Sequence, residues 1–420
     1  MRVAIIGAGA AGLTTAKHVA SSNMDLDVFE MREELGGVWA YTDDVGEDRY
    51  GYPVYSAMYK GLRLNLPKEI MGFSDFDIPA RENCYLTQPE MLDFLKLYAE
   101  TFDLIKYIKF NTMVMDISPV DDKWKVTTVY KPTKKETTDV YDSVIICNGH
   151  YNNPIIPTLQ GQEHFTGTID HSRNYRNSEK FRGKRVLVIG AGSSGMDLTM
   201  HVSTVAEHVT LSYHAPERIK IQYPPNVEIK PDVQKIVGSD KVEFVDGSCC
   251  RYNAILFCTG YRYSFPFLSD SCGLTVDDHH VRPLYKHIIH IDRPTMCFIG
   301  IPYEVCTFLM FDLQARYVCK YLTGDMDLPS KEEMRLHTEK DVEDRIAKGY
   351  TKRQMHMMGV GPNQQAYYDD LAQEANVATI PSVMVKIWET AIHRLLSDFI
   401  NFRGDKYRIV DENNFVQVTN

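Results

Sequence analysis

Two short aliphatic runs, at residues 3–6 and 186–189, are each followed by a glycine-rich turn and then by a longer segment with apolar residues at helical spacing. Short apolar runs that end at turn residues predict strands buried in a parallel sheet. A strand, a glycine turn and a helix, in that order, open a Rossmann-like unit. The repeat of this order predicts two such α/β units in one chain.

The rest of the hydrophobic pattern adds strands and helices to these two units. Thr87 and Glu90 form a capping box before an apolar stripe, which predicts a helix, and residues 380–402 have the spacing of an amphipathic helix. Because a strand at 296–301 follows the second unit, we predict an α/β fold with two Rossmann-like dinucleotide-binding domains, the second inserted in the first. Other strands are predicted at 26–29, 112–117, 124–129, 141–147, 209–211 and 254–258.

Both glycine turns have the spacing Gly-x-Gly-x-x-Gly. The first glycine of this motif permits the turn, the second lets the backbone approach a pyrophosphate, and the third lets the helix pack against the strand. The free N–H groups at the start of the helix then bind the phosphates. The residues concerned are Gly7, Gly9 and Gly12 in the first copy, and Gly190, Gly192, Ser193, Ser194 and Gly195 in the second.

The residue that ends the next strand distinguishes the two sites. Glu30 follows the strand at 26–29, where a carboxylate binds ribose hydroxyls. The strand at 209–211 ends instead at Ser212 and His214, with Arg218 nearby and no acid in this stretch. Because a carboxylate repels a 2′-phosphate, its absence favours NADPH over NADH. The first site has the pattern of an FAD site and the second that of an NADP site.

Two later strands also end in glycine turns, Cys-Asn-Gly-His at 147–150 and Cys-Thr-Gly-Tyr at 258–261. Thr259 and Gly260 are therefore expected at the carboxyl edge of the second sheet, where ligands bind. Gly37 and Trp39 are expected beside the flavin. A linker rich in asparagine and proline at 152–157 completes the division. We therefore predict an FAD-binding domain at 1–153, an NADP-binding domain at 154–268, and a return to the FAD-binding domain with C-terminal helices at 269–420.

Composition and charge argue against several other classes of protein. The chain has 420 residues and a net charge of −10, which disfavours nucleic-acid and acidic-membrane partners. Its nine cysteines form no CxxC pair, so neither a zinc ribbon nor a dithiol centre is predicted, and no metal is expected. Because a Rossmann-like strand is predicted at residues 3–6, a leader is not expected there, and no apolar run of about 20 residues predicts a membrane span. A soluble cytoplasmic enzyme is favoured, with a secreted enzyme that has lost its leader as the alternative.

A third motif lies between the linker and the second glycine turn, formed by Phe165, Gly167, His171 and Tyr175 in the spacing FxGxxxHxxx before an aromatic residue. With the other motifs in this order, the chain resembles the flavin-containing monooxygenases over nearly its whole length. It is most similar to the insect members that N-oxygenate pyrrolizidine alkaloids. The resemblance implies FAD, NADP and O2, and oxygenation of a soft nitrogen or sulfur through a C4a-hydroperoxyflavin. It favours a tertiary amine or alkaloid over a sulfide as substrate, and it is compatible with a homo-oligomer.

The resemblance also assigns roles to single residues. Asn65 would be the catalytic polar group at the oxygen-activating site, although an asparagine near a proline is otherwise typical of a turn. Gln314 would contact the flavin, with an exposed helix position as the alternative. His171 would have a conformational role near the NADP pyrophosphate. His214 stands where the family commonly has an arginine for the 2′-phosphate, so either Arg218 or Lys220 replaces that arginine or NADH is tolerated.

Three other functions stay open at this point. A Baeyer–Villiger oxygenase shares the plan, although its signature usually ends in tryptophan where Tyr175 stands. A flavin-dependent NADPH oxidase or disulfide reductase would transfer electrons without oxygenating a substrate, and an NADPH sensor would consume no O2. The sequence Met-His-Met-Met at 355–358 is predicted to fill a core, with a pocket lining as the alternative.

Overall fold

The computed structural model describes residues 1–214 and 221–418 of the chain. These residues form a mixed α/β fold in which parallel sheets are covered by helices. The predicted helix after Thr87 is present and has the expected capping box, and the amphipathic segment forms the helix Ser382–Ser397. The α-helices are α1 (Ala10–Ser21), α2 (Gln88–Thr101), α3 (Ser193–Ser203), α4 (Thr307–Leu322), α5 (Lys331–Ala347), α6 (Asn363–Glu374) and α7 (Ser382–Ser397).

The first sheet has seven strands, of which the five that contain the first glycine unit run parallel. Two antiparallel strands extend it at one edge. The central strand Arg2–Ile6 lies between Asp25–Phe29, which precedes Glu30, and Ser143–Ile146, which precedes the Cys-Asn-Gly-His turn. The spatial order is Leu284–Tyr285, Ile289–His290, Met296–Phe298, Ser143–Ile146, Arg2–Ile6, Asp25–Phe29 and Ile108–Lys109.

The second sheet has five strands, all parallel. Its central strand again has the glycine turn at its carboxyl end. The strand that ends at the Cys-Thr-Gly-Tyr sequence lies beside it, as the strand before Cys-Asn-Gly-His does in the first sheet. The spatial order is Val227–Lys230, His208–Ser212, Arg185–Ile189, Ala254–Phe257 and Thr168–His171.

Smaller antiparallel sheets fill the connections. The predicted strand pair near 112–130 gains a third strand that the pattern did not predict, because Lys135–Tyr141 is polar and exposed along most of its length. These sheets comprise Thr112–Val120, Lys123–Tyr130 and Lys135–Tyr141; Val233–Val237, Lys241–Phe244 and Cys249–Arg251; Thr275–Asp277 and His280–Arg282; and Lys406–Ile409 and Phe415–Val418.

The second unit is inserted in the first. The chain leaves the first sheet after Ser143–Ile146 and rejoins it at its edge with Leu284–Tyr285 and Ile289–His290. The next strand, Met296–Phe298, then pairs in parallel with Ser143–Ile146. The two connections run side by side, because Asn153–Pro154 pairs antiparallel with Tyr261–Arg262. The predicted fold class is thus confirmed, while the boundaries after residues 153 and 268 stay predictions.

The methionine-rich sequence at 355–358 belongs to the packed interior. Met355 and Met358 are buried. The ring of His356 is also buried and accepts a hydrogen bond from the backbone N–H of Val281 through Nε2. None of these residues lines the large cavity described below. The core-filling interpretation therefore fits their position.

Candidate functional site

The first glycine turn is packed so closely that side chains are excluded from it. Gly7 has φ 106°, and a Cβ there would lie 2.7 Å from the carbonyl oxygen of Cys147. A Cβ on Gly12 would lie 1.8 Å from the carbonyl oxygen of Gly7. The second glycine pair joins this packing, since a Cβ on Gly37 would lie 2.9 Å from the Cα of Gly9. The two glycine-rich segments therefore depend on each other for their backbone path.

A cavity of about 550 Å³ lies over this turn. Its volume and elongated lining, from the glycine turn to the start of α4, fit a dinucleotide such as FAD. Its lining combines the glycine turn and Glu30 with apolar side chains such as Phe308, as a cofactor with phosphates and a flavin ring requires. Sequence-predicted residues that line it are Gly7, Gly9, Glu30, Gly37 and Trp39.

Glu30 is held in place by the backbone. It is buried, and its carboxylate accepts hydrogen bonds from the N–H groups of Ala8 and Arg32, both at 2.9 Å. Burial raises the pKa of Glu30, and these hydrogen bonds partly offset that rise. Each carboxylate oxygen can accept more than one hydrogen bond, so Glu30 retains acceptors for ribose hydroxyls at the cavity wall.

The second glycine turn repeats the geometry of the first. Gly190 has φ 103°, and its Cβ would lie 2.6 Å from the carbonyl oxygen of Cys258. A Cβ on Gly195 would lie 1.8 Å from the carbonyl oxygen of Gly190. The same pair of close approaches thus occurs in both units, which explains why both sequences keep glycine at these positions.

The beginning of α3 is open on the side where a phosphate would bind. Among the described residues, no atom lies within 4 Å of the position of a Cβ on Gly192. Ser193 is exposed and Ser194 half-buried at the first turn of the helix. The N–H groups at this helix start are therefore accessible, which fits the pyrophosphate of a second dinucleotide.

A carboxylate that the local sequence did not predict lies close to the end of the strand His208–Ser212. The hydroxyl of Ser212 donates to the carbonyl oxygen of Pro231 at 2.7 Å. His214 is exposed, and its Nδ1 lies 3.0 Å from a carboxylate oxygen of Asp232, which comes from beyond the neighbouring strand. Arg218 and Lys220, the two alternatives to the family's arginine, lie outside the described residues.

Thr259 and Gly260 lie where the glycine turn at the end of Ala254–Phe257 was predicted. The Thr259 hydroxyl donates to the carbonyl oxygen of Ile155 and so joins the two connections between the units. Gly260 has φ 84°, and no atom of residues 1–214 or 221–418 lies within 4 Å of a Cβ placed on it. The backbone at this edge is therefore accessible to a ligand on the second sheet.

The residues of the third motif, Phe165, Gly167, His171 and Tyr175, pack against other parts of the protein. The ring of Phe165 covers Gly167, where a Cβ would lie 2.6 Å from a ring carbon. His171 ends a strand of the second sheet, and its Nδ1 accepts a hydrogen bond from the N–H of Arg173 at 3.0 Å. Burial lowers the pKa of His171 to about 4, so it is neutral at pH 7. Tyr175 is fully buried.

Asn65 lies on a segment that is fixed by backbone hydrogen bonds. Residues 62–68 bond to residues 84–88 through the pairs Leu64 N to Leu86 O at 2.8 Å and Lys68 N to Cys84 O at 2.7 Å. The Oδ1 atom of Asn65 accepts a hydrogen bond from Arg403 at 2.7 Å. Asn65 is half-buried and does not line the large cavity.

Gln314 supports the cavity wall from behind. It is fully buried, which excludes an exposed helix position. Its Oε1 accepts a hydrogen bond from the N–H of Gly300 at 2.9 Å, and its Nε2 donates to the hydroxyl of Tyr367 at 2.8 Å. Gly300 lines the cavity whereas Gln314 does not. Its contact with the site is therefore through the backbone of Gly300.

Sequence reasoning missed a carboxylate in the cavity. Glu304 lines the cavity together with Tyr151 and Tyr303. Among the described residues, the Glu304 carboxylate forms no ion pair and accepts no hydrogen bond. The backbone of Glu304 has φ 56°, and the turn that contains Glu304 comes just before α4. The only sequence signal was an acid just before an apolar helix, which is too common to single out.

Comparison with known proteins agrees with this geometry. The model of the family described as flavin-binding monooxygenase-like matches residues 1–219 and 215–399. The chain belongs to this family. Senecionine N-oxygenase from Tyria jacobaeae is 33% identical over 99% of this chain and 91% of its own length. The structure of S-allyl-L-cysteine S-oxygenase from Allium sativum has a TM-score of 0.88 at 31% identity, covering 96% of this chain and 94% of that chain.

More distant structures share only the fold. Cyclohexanone monooxygenase in its open form has a TM-score of 0.65 at 17% identity, covering 89% of this chain and 97% of that chain. The nearer relatives make the monooxygenase an NADPH-dependent flavoprotein that oxygenates nitrogen or sulfur, and they do not favour the Baeyer–Villiger alternative. FAD and NADP are its cofactors. No described helix is long and apolar enough to cross a membrane.

Proposed function

We propose that the monooxygenase N-oxygenates tertiary amines that arrive as ammonium cations, with pyrrolizidine-type alkaloids as the favoured class. The observation that carries the proposal is the Glu304 carboxylate, which lines the cofactor cavity without a partner among the described residues. The 33% identity with senecionine N-oxygenase supports the same class of substrate.

Glu304 has the properties of an ammonium-binding group. A carboxylate beside an apolar cavity attracts a cation strongly because little water competes for it. The rings of Tyr151 and Tyr303 line the same cavity and add cation–π attraction. The protein around Glu304 removes water from it and raises its pKa. Its carboxylate is therefore a better acceptor for the ammonium proton, whose loss frees the nitrogen lone pair.

The other site residues bind and orient. When bound and reduced by NADPH, FAD would activate O2, one atom of which would go to the substrate and the other to water. We assign the two glycine turns to the phosphates of the two cofactors and Glu30 to a ribose of FAD. Asn65 would supply N–H donors on the reactive face, where a polar amide stabilises developing charge. His171, which is neutral, would hold the connection between the units.

The test compares a tertiary amine with a neutral thioether of the same shape. The substitution Glu304→Gln should raise the KM of the amine about ten-fold, the effect of losing roughly 1.4 kcal/mol of charge attraction. The KM of the thioether should change less than about two-fold by the same argument. Benzyltrimethylammonium, a cation that cannot be oxygenated, should inhibit the wild type and lose affinity for the variant.

The control is Glu339→Gln, which removes an exposed carboxylate on α5 and should change neither KM. An equal change of both KM values in Glu304→Gln would contradict the proposal. S-oxygenation of thioethers is the second candidate, favoured by the 31% identity with S-allyl-L-cysteine S-oxygenase. A higher kcat/KM for the thioether than for the amine would select it, and a ketone in the same assay tests Baeyer–Villiger activity.

A further inference from the structure

Arg403 joins three separate parts of the chain next to Asn65. Its Nη2 donates to Asn65 Oδ1 at 2.7 Å and to Asp197 Oδ1 at 2.9 Å. Its Nε donates to the carbonyl oxygen of Leu64 at 3.1 Å. One guanidinium from the C-terminal region thus contacts the Asn65 segment and a helix of the second unit at once.

Asp197 brings the second unit into this group. It lies on α3, two positions after Gly195, and is buried. Its other carboxylate oxygen accepts a hydrogen bond from the hydroxyl of Tyr59. Tyr59 packs edge to face on Tyr175, the aromatic end of the signature, with ring centroids 5.4 Å apart. Burial and the charge of Asp197 raise the pKa of Tyr59 well above its usual value, so its hydroxyl stays a donor.

The contact fixes which way the amide of Asn65 faces. A guanidinium has donors and no acceptor, so the amide oxygen must face Arg403. The Nδ2 group of Asn65 is then on the opposite side of the amide, and it has no partner within the described part of the chain. Without Arg403 the amide could turn by half a rotation and present its oxygen where donors are needed.

We propose that Arg403 is a positioning residue for Asn65: it holds the amide with its oxygen toward the guanidinium and its N–H groups available to a bound cofactor, and its bond to Asp197 ties that orientation to α3 and the NADP-binding turn. This inference rests on the proposed role of Asn65. It gives the Asp197–Arg403 pair a function beyond joining two parts of the fold.

The test uses the FAD-loaded full chain with Arg403→Met, Arg403→Lys and Asp197→Asn. We expect Arg403→Met to increase the H2O2 released per NADPH oxidised about ten-fold, the effect of one lost charge-assisted hydrogen bond. Anaerobic reduction of the flavin by NADPH should stay within about two-fold of wild type, since Arg403 does not line the cavity assigned to FAD. Arg403→Lys keeps one donor group and should restore part of the coupling.

The circular dichroism of the bound flavin is measured with and without NADP+ as a readout that needs no turnover. The spectral change on NADP+ addition should be altered in Arg403→Met and in Asn65→Asp, which keeps the acceptor and loses the donors. The matched control is Arg394→Met. Arg394 pairs with Asp405 at 2.6 Å, close to Arg403 in sequence, and has no contact with Asn65.

Wild-type coupling and a wild-type flavin spectrum in Arg403→Met would overturn the inference. A second result would also overturn it. If Arg394→Met loses as much thermal stability as Arg403→Met and releases as much H2O2 per NADPH oxidised, the effect is one of folding. If the wild type oxygenates a thioether and no amine, the substrate proposal fails while the coupling ratio with the thioether still tests Arg403. If it releases only H2O2, the spectral change on NADP+ binding decides.

Discussion

Glycines with the same motif have different surroundings in this enzyme. Gly12 and Gly195 are packed against the carbonyl oxygen of the first glycine of their turns, so any side chain would displace backbone. Gly192 has open space around it and φ −72°, which any residue can adopt. The packing requires glycine at the first kind of position, and we propose that ligand binding requires it at the second.

This difference predicts opposite outcomes for two substitutions. Gly12→Ala should lower the free energy of unfolding by about 2 kcal/mol or more, because the Cβ cannot be accommodated without moving backbone. Gly192→Val should fold with an unchanged unfolding midpoint and raise the KM for NADPH about ten-fold by blocking the pyrophosphate. Thermal unfolding and NADPH kinetics of the two variants check this. Loss of stability in Gly192→Val would show that the turn tolerates no side chain at all.

Single residues could be predicted from the sequence when their contacts are close by in the chain, and not when their contacts are distant. Glu30 and Gly12 were predictable because their contacts, with Ala8 and Arg32 in one case and with Gly7 in the other, lie within the first β-α-β unit. Asp232 reaches His214 only through the order of strands in the second sheet. Arg403 reaches Asn65 across 338 positions of sequence, which no local pattern encodes.

Among the helices, α1 and α4 form a pair fixed by one buried carboxylate. Asp312 on α4 accepts hydrogen bonds from Thr14 at 3.0 Å and His18 at 2.6 Å, both on α1. Burial alone would raise the pKa of Asp312, but His18 and Arg316 outweigh this and hold the pKa well below its usual range. Since α1 begins at the first glycine turn, this contact keeps the cofactor turn in register with α4.

We predict that Asp312→Ala lowers the free energy of unfolding by about 3 kcal/mol, because it leaves buried donors and a cation without a partner. It should also weaken FAD binding, since α1 and α4 both border the cavity. Urea unfolding and FAD titration of the apoprotein measure the two effects. Asp341→Ala, which removes a half-exposed partner of Arg345 on α5, should cost less than about 1 kcal/mol.

Helices and strands differed in how well their patterns predicted them. The stripe on α2 and its capping box gave its start correctly, and α7 was apparent from its amphipathic spacing. The helix α5 has only two buried residues, so its sequence offered no stripe from which to predict it. Lys135–Tyr141 was missed for the same reason, since an exposed edge strand does not alternate.

Across the whole molecule, buried histidines give the enzyme a defined response to acid. Burial lowers the pKa of His150, His171 and His280 to about 4 and that of His287 to about 3. The unfolded chain protonates these groups near pH 6.5. The folded protein therefore binds fewer protons than the unfolded chain between pH 6.5 and about 4, and its stability is greatest above this range.

We predict that the free energy of unfolding falls as the pH is lowered from 7.5 to 5.5, by about 1.4 kcal/mol per histidine per pH unit below 6.5. The substitution His287→Asn should reduce the slope of the unfolding free energy against pH by the contribution of one histidine. Asparagine tolerates the φ of 61° at this position. Urea unfolding at several pH values measures the slope. An unchanged slope in the variant would mean that His287 protonates in the folded protein.

The large-scale plan followed from the order of motifs, because two glycine turns and a later strand require an inserted unit. The oligomeric state and the cellular compartment stay predictions. The position of the second unit relative to the first depends on contacts such as Asp197–Arg403, whose partners lie far apart in the chain. Such contacts emerge only when both units are folded.

The paired connections at Asn153–Pro154 and Tyr261–Arg262 have a consequence for how this architecture can be altered. Antiparallel partners have Cα atoms only about 5 Å apart, so the entry and exit of the intervening segment coincide in space. Excision of residues 155–260 would leave two ends that a tight turn can bridge. The first unit could thus exist as a freestanding flavin carrier, and a foreign module with adjacent termini could be spliced in at the same junction.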